Sequence, residues 1–143
     1  MSKFNFDGLV QKKCVLANVC ALARNSLTTI EANKLGIWTE LKELDGMDFG
    51  AVTYYYKKDF DTEHYLAPAK TNPLILIPTP ERAIVEYIQN EKWCDEGTLI
   101  EALKSYLFRY GNTEKLFEVA RFFGLSEEHL SYWITEAEED EEI

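Results

Sequence analysis

The sequence predicts an α+β fold: a small β-sheet with N-terminal helices and a C-terminal four-helix segment. Three observations carry this. Apolar residues recur at helical spacing in the first 44 residues. Runs of β-branched and aromatic residues follow between residues 51 and 78, with prolines around the last of them. After Pro78 come four successive cap-and-stop signals. The 143 residues suit one domain or two very small ones. The division falls between residues 1–78, which have the outline of a degenerate winged helix, and 79–143, which are helical. The two are expected to pack as one domain.

The stretch "LVQKKCVLANVCALA" reads as the first helix. Leu9, Leu16, Val19 and Cys20 fall near one face, Lys12 and Lys13 off it, and the helix ends near Arg24 and Asn25. In "SLTTIEANKLGIWTELKEL", Ser26 or Thr28 is a candidate cap for a short helix stopped by Gly36. Trp38, Leu41 and Leu44 have the spacing of a further turn or two. "DGMDFGAV" is turn-like. "AVTYYYKK" reads as a strand, "EHYLAPA" as its partner, and "KKDFDTE" as the hairpin between them. "NPLILIP" suits a third strand, buried on both faces.

Thr79 then caps a helix with Pro80 in its first position and Glu81 in its first turn. Asp95 caps the next, which Gly111 ends. Thr113 caps a third, ended by Gly124, and Ser126 caps the last. The tail "EAEEDEEI" is expected to fray, because like charges repel.

Charge placement narrows the function. The net charge is −10. Residues 1–70 carry nine acids and nine bases, residues 71–111 six and four, and residues 112–143 ten and two. The acidity therefore sits at the C-terminal end, where it opposes phosphate and favours a basic partner. Cys14, Cys20 and Cys94 make an odd, sparse set without C-x-x-C, as expected of reduced thiols in the cytoplasm. The opening "MSKFNFDGLVQKK" lacks the apolar stretch of a signal peptide, and no run of eighteen apolar residues exists, so no membrane association is expected.

Two segments have helix-turn-helix spacing. In "LFEVARFFGLSEEHLSYWI", Ala120, Gly124 and Leu130 hold the small, turn and apolar positions. The second helix, however, presents Glu127, Glu128, Tyr132 and Glu136. A helix entering the major groove lies between rows of phosphates, which repel carboxylates, and this one has no Lys or Arg to release counterions. Acids here instead complement the helix dipole. The segment is more readily an ordinary helix pair than a DNA reader. The second segment, "TTIEANKLGIWTELKEL", has Ala32 and Gly36 at the same spacing, with a strand-rich wing after it. It is neutral, so Lys34, Lys42, Lys57 and Lys58 are the candidate nucleic-acid contacts, a small footprint.

No enzyme motif stands out. His64 and His129 are far apart and fit no metal-ligand spacing. Phosphate-loop, dinucleotide and nucleophile-elbow glycine patterns are absent. Asp45, Asp48, Asp59 and Asp61 are candidate Mg²⁺ carboxylates, though turn formation explains them at less cost. No cofactor, metal or catalytic residue is expected. In "YYYKK", Tyr54 and Tyr56 share one strand face, and Tyr55 with Lys57 makes a candidate exposed patch.

Residues of roughly 77–134 also resemble a known family. "TPERAIVEYI" after a short apolar strand, then "LIEALKSYL" and "LFEVARFFG", look like the C-terminal part of AbiEi-type abortive-infection antitoxins. The resemblance implies an N-terminal winged helix that binds the operon's own promoter. It implies a C-terminal domain that counters a nucleotidyltransferase-like toxin, a phage-defence role. It also implies that Arg82, in "PER", anchors sheet to helices. The leading expectation is a cytoplasmic, antitoxin-like module that binds a basic protein partner directly through Glu127, Glu128, Tyr132 and Glu136. The second is a winged-helix-like transcriptional regulator that binds DNA.

Overall fold

The computed structural model describes residues 14–30, 35–67 and 75–140. Strand β1 (Cys14–Val15) leads into helix α1 (Asn18–Arg24), and β2 (Leu35–Thr39) follows. A 3-10 turn at Lys42–Leu44 precedes β3 (Val52–Tyr56), β4 (Leu66–Ala67) and β5 (Ile75–Pro78). Four helices complete the described chain: α2 (Pro80–Gln89), α3 (Glu96–Tyr110), α4 (Glu114–Phe123) and α5 (Glu127–Glu139). The α+β class stands, with two small sheets in place of one.

In the first sheet β5 lies in the middle, parallel to β1 and antiparallel to β4. Both faces of β5 are covered, Ile75 and Ile77 packing against one core cluster and Leu76 lying in another, which explains why "ILIP" is an unbroken apolar run. In the second sheet β2 and β3 run parallel, with Leu35 opposite Val52 and Thr39 opposite Tyr56. The amide of Ala17 donates to the carbonyl of Gly36 (2.9 Å), and Leu16 bridges Ile37, which joins the two sheets. The far edge of β3 is covered by the loop before it: Tyr54 donates to Met47 (3.0 Å) and accepts from Gly46 (2.7 Å).

The N-terminal half departs from its sequence pattern in four places. The first helix is shorter than expected, because Cys14 and Val15 pair with Ile75 and Leu76 as strand; Leu9, Lys12 and Lys13 lie outside the described residues. Ser26 and Thr28 cap no helix: Ser26 turns with φ +58° and the Thr28 hydroxyl donates to Glu101. "LGIWT" is strand, not helix. Gly36 through Thr39 are all buried, so no alternation betrays the strand. Gly36 serves close packing, since a Cβ there meets the Ala17 carbonyl at 3.0 Å and the Tyr55 ring at 3.1 Å. Finally, β4 pairs with β5 and not with β3, so Lys57–Glu63 is no hairpin turn.

Overpacking at the Gly36 contact gives a first prediction. Gly36→Ala is expected to lower stability by about 1–3 kcal/mol, seen as an earlier denaturant midpoint with unchanged slope. An unchanged midpoint contradicts the packing argument.

The helical half follows local signals more closely. Thr79 Oγ1 accepts from the amide of Arg82 (3.3 Å), Asp95 Oδ2 from Thr98 (2.9 Å) and Ser126 Oγ from His129 (3.1 Å). Gly111 and Gly124 close their helices with φ of +67° and +79°. Thr113 makes no side-chain cap; Asn112 Oδ1 does that work, accepting from Glu114 (2.7 Å). The last helix does not fray at "EAEE". It continues to Glu139 because Ala137 is buried and Lys104 Nζ holds Asp140 Oδ2 at 2.9 Å.

One core cluster crosses the Pro78–Thr79 junction, from Leu22 and Ile37 to Leu103, Leu116, Leu130 and Ile134. Helix α2 is its hub, buried from Arg82 to Ile88 and packed on α1, β5, α3 and α4. A smaller cluster of Val15, Ala17, Trp38 and Leu76 lies between the sheets.

Glu101 ties α3 to the segment after α1. The Thr28 hydroxyl, partly opposed by burial and joined by the Thr29 hydroxyl and amide, holds its carboxyl below the ordinary range. A carboxyl depressed in the folded state stabilises above its unfolded value, about 4.3, and that contribution is lost as pH falls through the folded value. Glu101→Gln is therefore expected to flatten the fall of melting temperature as the pH drops from about 4.3 through the folded value. An identical acid limb in the variant contradicts this.

Candidate interaction surface

The pair α4–α5 has the geometry its spacing predicted. Ala120 is fully buried where the helices meet. Gly124 takes the left-handed turn that L-residues enter only with strain, and the amide of Leu125 returns to the carbonyl of Ala120 (2.8 Å). Leu130, Ile134 and Ala137 face inward.

The opposite face of α5 is carboxylate-rich. Glu128, Tyr132 and Glu136 recur at i, i+4 and i+8, so they form one stripe. Glu127 and Glu128 are exposed, Tyr132 is 54% exposed, and Glu136 is half-buried. Tyr132 is held by an edge contact to Trp133 (5.1 Å between ring centroids). Glu127 pairs with Arg121 (3.1 Å), both well exposed, a contact that contributes little energy. Among the described residues no cation pairs with Glu128 or Glu136.

Beside this stripe, α3, α4 and α5 enclose an open groove of about 910 Å³. Tyr106, Tyr110 and Phe117 give it apolar surface, and Glu81, Glu114, Glu118 and Glu127 surround them. Tyr106 donates to Glu81 Oε2 (2.7 Å). Burial first, and then the neighbouring Glu81 carboxylate, push this phenol far above its ordinary value, so it stays a neutral donor.

The candidate nucleic-acid contacts are not gathered into one patch. Lys34 lies outside the described residues. Lys42 is exposed in the 3-10 turn and Lys58 in the turn after β3. Lys57 is turned inward: its Nζ is 3.3 Å from Glu86 Oε2 and sits over the rings of Trp38 (5.4 Å) and Phe123 (5.2 Å). Tyr55 is likewise no open platform, packed between Trp38 and Trp93. The upstream helix-turn-helix lacks its second helix, because residues 35–39 are strand.

Arg82 is fully buried. Its Nη1 donates to the carbonyl of His64 (2.8 Å) and its Nη2 to that of Asp61, while Nη2 lies 3.2 Å from Glu86 Oε2. The guanidinium also sits 4.9 Å from the Phe123 ring centroid. One side chain thus ties the 61–64 loop to α2 and α4. Lys57 and Phe123 complete this cluster with Glu86; Lys57 was singled out in the sequence only as an exposed nucleic-acid contact, and Glu86 was not singled out at all. The i, i+4 spacing of Arg82 and Glu86 on an otherwise apolar helix was the available signal.

Asp48 and Asp61 serve local turns, accepting from the amides of Gly50 (2.8 Å) and Glu63 (2.9 Å), whereas Asp45 reaches across to β3 and accepts from the amide of Tyr56 (2.9 Å). No group of three or more His, Cys, Asp or Glu among the described residues is placed to hold a metal ion. No described helix is long and apolar enough to cross a membrane. No family model matches the sequence, and no curated protein matches it.

Proposed function

We propose that the protein is an antitoxin-like interaction module that neutralises a basic, nucleotidyltransferase-like toxin by direct binding. The observation that carries this reading is the face of α5. Glu127, Glu128, Tyr132 and Glu136 stand on a helix-turn-helix frame where a DNA reader presents cations. A toxin that handles nucleic acid tends to be basic, so an acidic, aromatic-bearing face is complementary to it. Occlusion of the toxin's own phosphate-binding surface follows from that complementarity. The resemblance of residues 77–134 to AbiEi-type antitoxins supports the choice of toxin class.

The test is a titration of the purified chain against the product of the neighbouring gene. The expected result is a saturable complex whose affinity falls as salt rises, since the attraction is screened. No complex at low salt overturns the reading.

A further inference from the structure

We propose that the groove between α3, α4 and α5 receives an arginine-bearing segment of the protein partner; this rests on the interaction reading above and gives it an insertion point. Three features argue for that occupant. First, the groove is open to solvent and about 910 Å³ in volume. That is room for a side chain with its flanking backbone.

Second, its own cations are already engaged. Lys115 and Arg121 are the only bases of residues 112–143. Lys115 is 3.1 Å from Glu118, and Arg121 is 3.1 Å from Glu127. Glu114, exposed on the rim, has no cation partner among the described residues. Arg109 sits 6.0 Å over Tyr110, but the carbonyls of Asn25 and Ser26 hold its guanidinium (3.0 and 2.9 Å). An incoming cation therefore completes the charge balance, and a phosphate worsens it.

Third, the surface is mixed in the way an arginine side chain is mixed. Tyr110, 46% exposed with its ring centroid 4.7 Å from that of Tyr106 in a tilted pair, and the half-buried Phe117 offer apolar contact to its methylenes. The Glu114 carboxylate offers a two-oxygen acceptor to the guanidinium fork. Arginine fits better than lysine because its head group is planar and more weakly hydrated. A purely apolar segment would strip water from the carboxylates and give nothing back.

The probe is a fluorescein-labelled peptide of alternating arginine and leucine, with a lysine-for-arginine peptide as control, added to the full chain. Polarisation should show arginine binding more tightly than lysine. Glu114→Lys should weaken the arginine peptide by about tenfold or more, and Glu114→Gln by less, with melting curves close to wild type. Amide shifts in an NMR titration should concentrate at Tyr110, Glu114 and Phe117. Shifts spread evenly to Glu138–Asp140, or equal binding by folded Glu114→Lys, overturn the proposal. Equal capture of the neighbouring gene product by wild type and Glu114→Lys refutes the groove and leaves the interaction reading intact. Peptide seated in the groove with no partner bound to wild type refutes that reading alone.

Discussion

Replacing Arg82 with alanine is expected to destabilise the fold by about 3–5 kcal/mol, as happens when one member of a buried ion pair is removed. The loss has three parts. Glu86, itself 2% exposed, keeps only the half-buried Lys57 as a counter-charge. The carbonyls of Asp61 and His64 lose their donors. Phe123 loses a packed neighbour. A melting temperature lower by on the order of 10 °C is the expected readout. The double variant Arg82→Met with Glu86→Met should recover part of that loss, because the fully buried Glu86 carboxylate is removed and only the half-buried Lys57 ammonium, which reaches solvent, loses its partner. If Arg82→Ala melts with the wild type, the guanidinium is not the tie between loop and helices described here.

The second large effect is on binding. Reversing Glu127 and Glu128 to lysine changes the charge of the α5 face by about four units, two per substitution, without touching Leu130, Ile134 or Ala137. The fold should lose little. Acids at a helix start contribute about 0.3–1 kcal/mol each at exposed positions, and the Arg121–Glu127 pair is a surface contact. Partner affinity should fall at least about tenfold, and most of the change should lie in the association rate and its salt dependence. The same reversal supplies the cations that a groove-reading helix needs, so nonspecific affinity for duplex DNA should appear. Unchanged partner affinity in a folded double variant argues that contact is made elsewhere.

The four C-terminal helices were legible because their signals are local. Thr79, Asp95 and Ser126 cap, and Gly111 and Gly124 stop, whatever the rest of the chain does. The exposed stripe of α5 follows from the same periodicity. The sheets were not legible in the same way. β2 is buried on both faces and carries a glycine that mimics a helix stop, and its parallel pairing with β3 is a choice of partner that no window of sequence encodes. The pairing of β1 with β5 spans about sixty residues, which helical propensity in "KKCVLANVC" conceals. Likewise, the inward turn of Lys57 depends on Trp38, Glu86 and Phe123 from three separate elements. The groove is assembled from Tyr110, Glu114, Phe117 and Glu127 across three helices, so only packing reveals it.

The central claim is that the carboxylates of α5 turn a helix-turn-helix frame away from nucleic acid and toward a basic protein. The most direct test is fluorescence anisotropy of a labelled duplex carrying the chain's own promoter, titrated with the wild-type protein at low salt. No saturable rise is expected. Tight binding that drops steeply with salt, and is lost on substitution within residues 126–132, would contradict it.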